Sequence, residues 1–201
     1  HLFVICYIVP IIFFYAFFKI EKINYDLSSK IGYYIKSGIV LECPEGTYCP
    51  IANLTSPILC PIGHFCPKSG MIYPYYCPYT FYCPKLGMTY PNDCQKGYFC
   101  PNYQMVEQMK CERGYYCPNK NMRSLFECPK GSYCPIGVYS PIICPKGSYC
   151  PREKLSIPVK CPSNTYCPNE GMIIPIKCQL GYNCDVGTID FNMKVNKERD
   201  L

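Results

Sequence analysis

Apolar residues follow two different patterns along this chain of 201 residues. The first is an unbroken apolar run from Leu2 to Phe18, which Lys19 and a polar stretch bring to an end. Its length lies between the core of a secretory signal and a minimal membrane span, which needs about 20 apolar residues. We therefore expect residues 1–20 to form an apolar helix that serves as a signal peptide or membrane anchor, with residues 2–18 contacting the membrane.

The second pattern is a motif of the form C-x5-C that begins nine times between Cys43 and Cys178, in steps of 17 residues. Only the step from Cys128 to Cys144 is 16 residues long. An aromatic residue precedes the second cysteine in eight copies, and Met, Leu or Val follows a few residues after it. A fixed period of this kind is typical of stacked repeats, in which each unit contacts its neighbours. The two apolar positions predict two ladders that bury each repeat on the next.

Turn-forming residues lie between the apolar positions. Glycine stands three places after the first cysteine in seven of nine copies, and Thr80 and Asn164 are the exceptions. Glycine or asparagine recurs four places after the second cysteine, where Gln104 and Lys154 depart from the pattern. Both sites favour positive φ, and nearby prolines oppose helix formation. We predict a small disulfide-rich, irregular β fold, in which tandem hairpin-like repeats of 17 residues stack into an elongated array.

Composition narrows the range of compartments and ligands. The chain holds 19 cysteines, 21 prolines and 14 glycines, and this cysteine content is typical of a disulfide scaffold. Such scaffolds persist in oxidising spaces, so we expect the secretory pathway and a final location outside the cell or at its surface. Zinc sites use C-x2-4-C spacing, so we predict no metal and no cofactor. The formal net charge of +6 includes no basic block, and we predict no nucleic-acid partner.

Two pairing schemes are open to the cysteines: within each motif, or across the connector between motifs. Residues 29–38 align with residues 60–70 once one residue is skipped, and this copy lacks both cysteines. Joint loss indicates that the two cysteines were partners, so pairing within the motif is favoured. The predicted disulfide residues are Cys43 with Cys49, Cys60 with Cys66, Cys77 with Cys83, Cys94 with Cys100, Cys111 with Cys117, Cys128 with Cys134, Cys144 with Cys150, Cys161 with Cys167, and Cys178 with Cys184.

Domain boundaries follow from these patterns. We expect a signal or anchor in residues 1–20, a linker with a decayed repeat in 21–42, the nine repeats in 43–184 and a flexible tail in 185–201. Cys6 lies inside the apolar run and is expected to be an unpaired small hydrophobic residue.

Side chains suited to catalysis are scarce. His64 occupies a turn position where other copies carry Thr, Ser, Phe or Tyr, so we expect no catalytic role for it. No phosphate-binding loop, nucleophile elbow or paired carboxylates is visible in the sequence, so we predict no catalytic residue and no enzyme activity. Asn53, in Asn53-Leu54-Thr55, is the only N-glycosylation acceptor in the sequence. We expect it to be exposed and glycosylated on a secreted chain.

The string C-P-x-G-x-Y-C-P occurs at residues 43–50, 128–135 and 144–151. It resembles the cysteine-rich repeats related to ephrin-receptor and tumour-necrosis-factor-receptor modules. The nearest resemblance is to the cysteine repeat modular proteins of parasitic protists. That resemblance implies a surface or secretory-pathway protein that carries long arrays of this unit. The present chain differs by having two cysteines per repeat, without the additional ones of the receptor modules.

These observations favour a non-enzymatic, secreted or membrane-anchored repeat protein that acts as an extracellular spacer and as a scaffold for adhesion or protein interaction. Its partner is expected to be a protein or glycan at a cell surface. An alternative is a structural wall or coat protein whose cysteines bond between chains. A third class is a cytosolic zinc-binding module with reduced thiols.

Overall fold

The computed structural model describes residues 30–180, 182 and 184–190. These residues form an all-β protein and contain no helix. The predicted N-terminal helix lies outside the described residues. The strands are β1 Tyr33–Lys36, β2 Ile39–Glu42, β3 Thr47–Tyr48, β4 Ile58–Leu59, β5 His64–Phe65, β6 Tyr75–Tyr76, β7 Phe81–Tyr82, β8 Asn92–Asp93, β9 Tyr98–Phe99, β10 Met109–Lys110, β11 Tyr115–Tyr116, β12 Phe126–Glu127, β13 Ser132–Tyr133, β14 Ile142–Ile143, β15 Ser148–Tyr149, β16 Val159–Lys160, β17 Thr165–Tyr166 and β18 Ile176–Lys177.

Each odd-numbered strand pairs with the strand that follows it, so the fold is a series of two-stranded sheets. The register relative to the flanking cysteines is the same in the disulfide-closed pairs other than β7 with β8. Tyr48 lies opposite Ile58 in one repeat, and Tyr166 lies opposite Ile176 in another, both in antiparallel pairs. The inner strand of each repeat precedes the second cysteine, and the outer strand precedes the next motif. The prediction of hairpin repeats of about 17 residues is confirmed.

The first sheet differs from the others because its repeat has no cysteines and is not closed by a disulfide. β1 and β2 each contain four residues and are joined through Ser37 and Gly38, which both have positive φ. Two consecutive residues of this kind form the tight turn that suits the twist of a hairpin. We call residues 33–42 the cysteine-free hairpin.

Nine disulfides join the cysteines, and each closes one C-x5-C motif. The paired Cα atoms are 5.9–6.4 Å apart, which is within the usual range for a disulfide. Among the described residues no disulfide crosses a connector. The cysteines of the nine motifs have no exposed surface, apart from Cys178, which is half-buried. The disulfides are therefore the core of the protein.

Each repeat reverses direction at two turns with positive φ. The first turn lies three places after the first cysteine, and the second turn lies between the two strands of the repeat. In the described residues φ is positive at every first-turn glycine and also at Thr80 and Asn164. Each second turn also contains a residue with positive φ, including Gln104 at 58° and Lys154 at 58°. The turn prediction is confirmed, and it extends to the residues that break the glycine pattern.

The chain divides into two compact units. Of the described residues, the N-terminal unit comprises those up to Pro78, with Tyr82–Asn92 and Tyr103–Glu107. The C-terminal unit comprises Tyr79–Phe81, Asp93–Asn102 and the described residues from Gln108 onward. The domain boundaries predicted from the sequence stay predictions.

Within each unit, neighbouring repeats are joined by the same backbone hydrogen bonds. The first-turn amide donates to the second cysteine of the next repeat, and the first-turn carbonyl accepts from the first cysteine there. In a third bond, the amide of the second cysteine donates to the apolar residue that follows the second turn of the next repeat. In a fourth, the second-turn amide of the next repeat donates to the carbonyl of the first cysteine. In the N-terminal unit these bonds are Gly46 N to Cys66 O (2.9 Å), Cys60 N to Gly46 O (2.9 Å), Cys49 N to Met71 O (2.8 Å) and Gly70 N to Cys43 O (2.7 Å).

The first turn favours glycine because it also approaches the repeat after next. A Cβ atom on Gly46 would lie 2.6 Å from the carbonyl oxygen of Gly87, and one on Gly131 would lie 2.8 Å from that of Gly171. Real Cβ atoms essentially never make contacts this short, so a side chain would push the two turns apart. The same approach, at 2.9 Å or less, is found for Gly32, Gly63, Gly97, Gly114 and Gly147.

Two first turns carry another residue, Thr80 and Asn164. The bond from Cys94 N to Thr80 O is 3.4 Å long, whereas the equivalent bonds at glycine turns measure 2.9–3.1 Å. The amide of Cys94 also donates to Asn121 Oδ1 at 2.9 Å. For Asn164 the repeat after next would lie beyond residue 190, outside the described part of the chain. Asparagine also tolerates the left-handed conformation better than most residues.

Aromatic side chains pack each repeat on the next. Phe99 contacts the Cys111–Cys117 disulfide and Met122 of the following repeat, and all four residues are buried. Tyr48 packs in the same way on the disulfide and Met71 of its neighbour. Tyr133 does so on Cys144, Cys150 and Leu155. The predicted apolar contacts between repeats are confirmed in these three clusters.

Candidate functional site

The surface that remains for binding is formed by the outer strands and the turns, because the disulfides occupy the core. The outer strands carry large apolar side chains that are exposed to solvent. Their exposed apolar residues are Ile58, Leu59, Tyr75, Tyr76, Met109, Phe126, Ile142, Ile143, Val159 and Ile176. Exposed apolar side chains are typical of interaction surfaces where they form contiguous patches.

Inner-strand aromatic residues support these exposed side chains from the opposite strand. The rings of Phe65 and Tyr75 are 5.7 Å apart in an edge-on arrangement, and those of Tyr116 and Phe126 are also 5.7 Å apart. Cross-strand aromatic pairs stabilise hairpins of this kind. The inner ring is partly buried and the outer ring is exposed, so each pair links the core to the surface.

Second turns that carry a side chain make polar contacts with a repeat two steps earlier. Lys154 Nζ lies 2.8 Å from Glu127 Oε1 and 5.3 Å from the centre of the Tyr115 ring. The hydrogen bond to Glu127 is the main cause that raises the pKa of Lys154 above its ordinary value, and a hydrogen bond with Tyr115 adds to it. The contact therefore holds Lys154 in its charged form.

Asn121 and Gln104 make contacts of the same kind. Asn121 Nδ2 donates to Asp93 Oδ1 at 2.9 Å, and Asn121 Oδ1 accepts from the amide of Cys94 at 2.9 Å. Gln104 Nε2 lies 3.2 Å from His64 Nε2, and the His64 ring lies 5.1 Å from that of Tyr76. Where the second turn is glycine, an outer-strand side chain lies beside it instead: a Cβ atom on Gly87 would lie 3.2 Å from Leu59 Cδ2.

Sequence reasoning missed these contacts, although the sequence contains a signal for them. Asp93 precedes Asn121 by 28 residues, and Glu127 stands at the equivalent outer-strand position before Lys154. Both polar partners occur where the second turn departs from glycine. An alignment of each second turn with the outer strand two repeats earlier matches these residues, but the offset of two repeats follows only from the stacking.

The sequence-predicted residues with side-chain chemistry lie apart from one another. His64 contacts the carbonyl of Ile62 through Nδ1 at 3.1 Å and Gln104 through Nε2, so both ring nitrogens belong to structural contacts. Asn53 is exposed at a second turn with a φ of 60°. Across the described residues, no group of three or more His, Cys, Asp and Glu side chains could hold a metal ion.

The chain matches no known protein family. A search of characterised proteins finds no relative either. No helix in the described part of the chain is long and apolar enough to cross a membrane, and the apolar run of residues 2–18 lies outside that part.

Proposed function

We propose that the chain is a non-enzymatic, secreted or membrane-anchored repeat protein that serves as an extracellular spacer and interaction scaffold. The observation that carries this proposal is the series of nine disulfides. A disulfide core of this density is consistent with an extracellular or secretory-pathway protein. The exposed apolar outer strands support a role in protein interaction or adhesion. The resemblance to ephrin-receptor-like repeats and to the modular proteins of parasitic protists agrees with this proposal.

Disulfide mapping tests this proposal directly. The full chain is made in a secretory host, digested without reduction, and analysed by mass spectrometry. We expect nine peptides or peptide pairs joined within C-x5-C motifs, from a protein that migrates as a monomer without reductant. Peptides linked between chains would support the wall or coat protein instead. Free thiols with bound zinc would overturn both proposals.

An elongated array is part of the proposal. Two strands per repeat at about 4.8 Å would give nine repeats a length of roughly 90 Å. Such an array has a radius of gyration of about 26 Å, against about 14 Å for a compact domain with as many residues as the repeat region. Small-angle scattering of the monomer would distinguish the two, and the smaller value would contradict the spacer role.

Glycosylation of Asn53 is also proposed, because this residue is exposed at a turn and begins the sequon Asn53-Leu54-Thr55. Chain secreted by a glycosylating host should lose mass when treated with a peptide N-glycanase. Asn53→Gln and Thr55→Ala should both abolish that change. A mass change that survives either substitution would contradict the assignment.

A further inference from the structure

The residue directly before the first-turn glycine is basic in four successive repeats of the C-terminal unit. These residues are Lys96, Arg113, Lys130 and Lys146, and we call them the basic row. All four are exposed. The equivalent residues of the other repeats are Glu45, Ile62, Tyr79, Ser163 and Leu180. The row is therefore a feature of one part of the chain and does not follow from the repeat itself.

The backbone around each basic residue is held in place by the turn. The amide of Tyr98 donates to the carbonyl of Gln95 at 3.1 Å, and that of Ser132 donates to Pro129 at 3.2 Å. The glycine after each basic residue bonds to the next repeat, as Gly131 N does to Cys150 O at 3.0 Å. Binding through these side chains consequently requires no ordering of the backbone, which lowers its entropic cost.

In the part of the chain that the structure describes, no ion pair includes a residue of the basic row. In the described residues, the ion pairs are Lys120 with Asp93 at 4.0 Å and Lys154 with Glu127 at 2.8 Å. Asp93 also accepts a hydrogen bond from Asn121. These contacts engage two acidic side chains of the unit and leave the row unpaired. Glu112 is the only acidic residue that directly precedes a row residue. The row is thus available to an anionic partner.

We propose that the basic row binds a linear anionic polysaccharide through sulfate or carboxylate groups. The charges follow successive repeats, one in each, which suits a polymer with regularly spaced anions. Individual exposed charge contacts are weak, and several of them along one polymer reinforce each other. A lipid surface would bind charges clustered in a single turn equally well, so a row with one charge in each repeat favours a linear polymer. This inference rests on the proposed extracellular function, because acidic polysaccharides are partners found outside the cell.

Binding to heparin oligosaccharides of increasing length tests the proposal on the oxidised full chain. Affinity should rise with oligosaccharide length until the polymer spans four repeats. A variant with Lys96→Gln, Arg113→Gln, Lys130→Gln and Lys146→Gln should bind at least tenfold more weakly. Because each neutralised anion releases about one counterion, its affinity should also depend less steeply on salt.

The matched control removes the same charges from other exposed positions of the same unit. It carries Lys110→Gln, Arg152→Gln, Lys160→Gln and Lys177→Gln, and we expect its affinity to stay within twofold of the parent. Equal losses in both variants would show attraction by net charge alone and would overturn the proposal. Absence of binding by the parent at physiological salt would also overturn it.

Vesicles containing phosphatidylserine distinguish a lipid partner. Row-dependent binding to these vesicles without binding to heparin would replace the polysaccharide assignment. None of these failures affects the scaffold proposal, which the disulfide map and the secretion of the chain test separately. Both variants should give the parent disulfide map, so a loss of binding can be assigned to charge.

Discussion

The cysteine-free hairpin and the disulfide-closed repeats build the same unit by different means. In the hairpin, Tyr34 lies opposite Leu41. In a disulfide-closed repeat, Phe65 at the equivalent position lies opposite Tyr75. The register counted back from the next cysteine is identical. The hairpin reaches it through longer strands and a two-residue turn, whereas the repeats use two-residue strands and a disulfide.

The hairpin also makes the contacts that join one repeat to the next. Gly32 N donates to Cys49 O at 2.9 Å, and Gly32 O accepts from Cys43 N at 3.0 Å. Ile35 N donates to Leu54 O at 2.6 Å, as a second cysteine does elsewhere. The comparison teaches that backbone contacts between repeats define the geometry of the unit. The disulfide instead supplies the stability that two-residue strands lack.

The largest expected effect comes from removing a disulfide. Replacing Cys111 and Cys117 by alanine should lower the free energy of unfolding by about 2–5 kcal/mol, because the closed loop and its buried sulfurs are lost. Hydrogen exchange should accelerate most at Tyr115 and Tyr116, which lie within that loop. Reductant added to the parent should affect Tyr33–Lys36 less than any disulfide-closed strand. Equal acceleration in both places would show that the hairpin depends on the disulfides of its neighbours.

The second prediction separates two costs of adding a side chain at a turn: the cost of the left-handed backbone conformation and the cost of the close approach between two turns. Gly38 has a φ of 76° and would place a Cβ atom in open space, whereas Gly131 has a similar φ but faces the carbonyl of Gly171. Gly38→Ala should cost about 1–2 kcal/mol for the left-handed conformation alone. Gly131→Ala should cost about 1–3 kcal/mol more, because the repeat after next must move. Denaturant unfolding measures the difference, and equal losses would argue against the close approach.

A smaller effect of opposite sign is expected at Thr80. A β-branched residue is strained at a φ of 70°, so Thr80→Gly should stabilise the protein by about 1 kcal/mol. Asn164→Gly is the matched control and should have an effect of only a few tenths of a kcal/mol, since asparagine tolerates this conformation. The two unfolding curves provide the measurement. A destabilised Thr80→Gly variant would mean that the threonine side chain makes a favourable contact.

The smallest effect concerns the contact between Lys154 and Glu127. Both side chains are about half exposed, so Glu127→Gln should change stability little. It should nevertheless lower the pKa of Lys154 towards its ordinary value, because the hydrogen bond to Glu127 is the main cause of the raised pKa.

A raised pKa means that the contact is fully present below the ordinary lysine pKa and is lost only as the pH rises through the higher folded value. The contact should therefore be insensitive to pH near neutrality and fail in strongly alkaline solution. A titration of Lys154 by NMR in the parent and the Glu127→Gln variant checks this. Identical titration curves would show that the carboxylate does not govern this lysine.

Local structure was predictable from particular residues. Gly63 and Gly70 mark the two turns of their repeat, Tyr48 predicts the contact with the next repeat, and the spacing of Cys60 and Cys66 favours a disulfide between them. These features act over a few residues, where turn preferences and short loops are decisive. The same preferences anticipated positive φ at the second turn, which held even for Lys154.

Contacts between distant parts of the chain were not predictable in this way. The pairing of Asp93 with Asn121 spans 28 residues and that of His64 with Gln104 spans 40. Such contacts depend on how successive repeats stack. The exposure of the outer strands was not predictable either, because large apolar and aromatic residues such as Ile143 and Tyr76 are usually expected to be buried. They remain at the surface since the sulfurs already fill the interior.

The sequence by itself determined the repeat, its turns and its hairpin, because cysteine spacing and backbone preferences act locally. Tertiary structure decided the close approach that adds to the preference for glycine at the first turn, since Gly46 meets Gly87 only after three repeats have stacked. Tertiary structure also decided which charged side chains form ion pairs. Glu127 neutralises Lys154 two repeats away, whereas no ion pair in the described residues includes Lys130. Side-chain proximity of this kind arises from the packing of units that are distant in sequence.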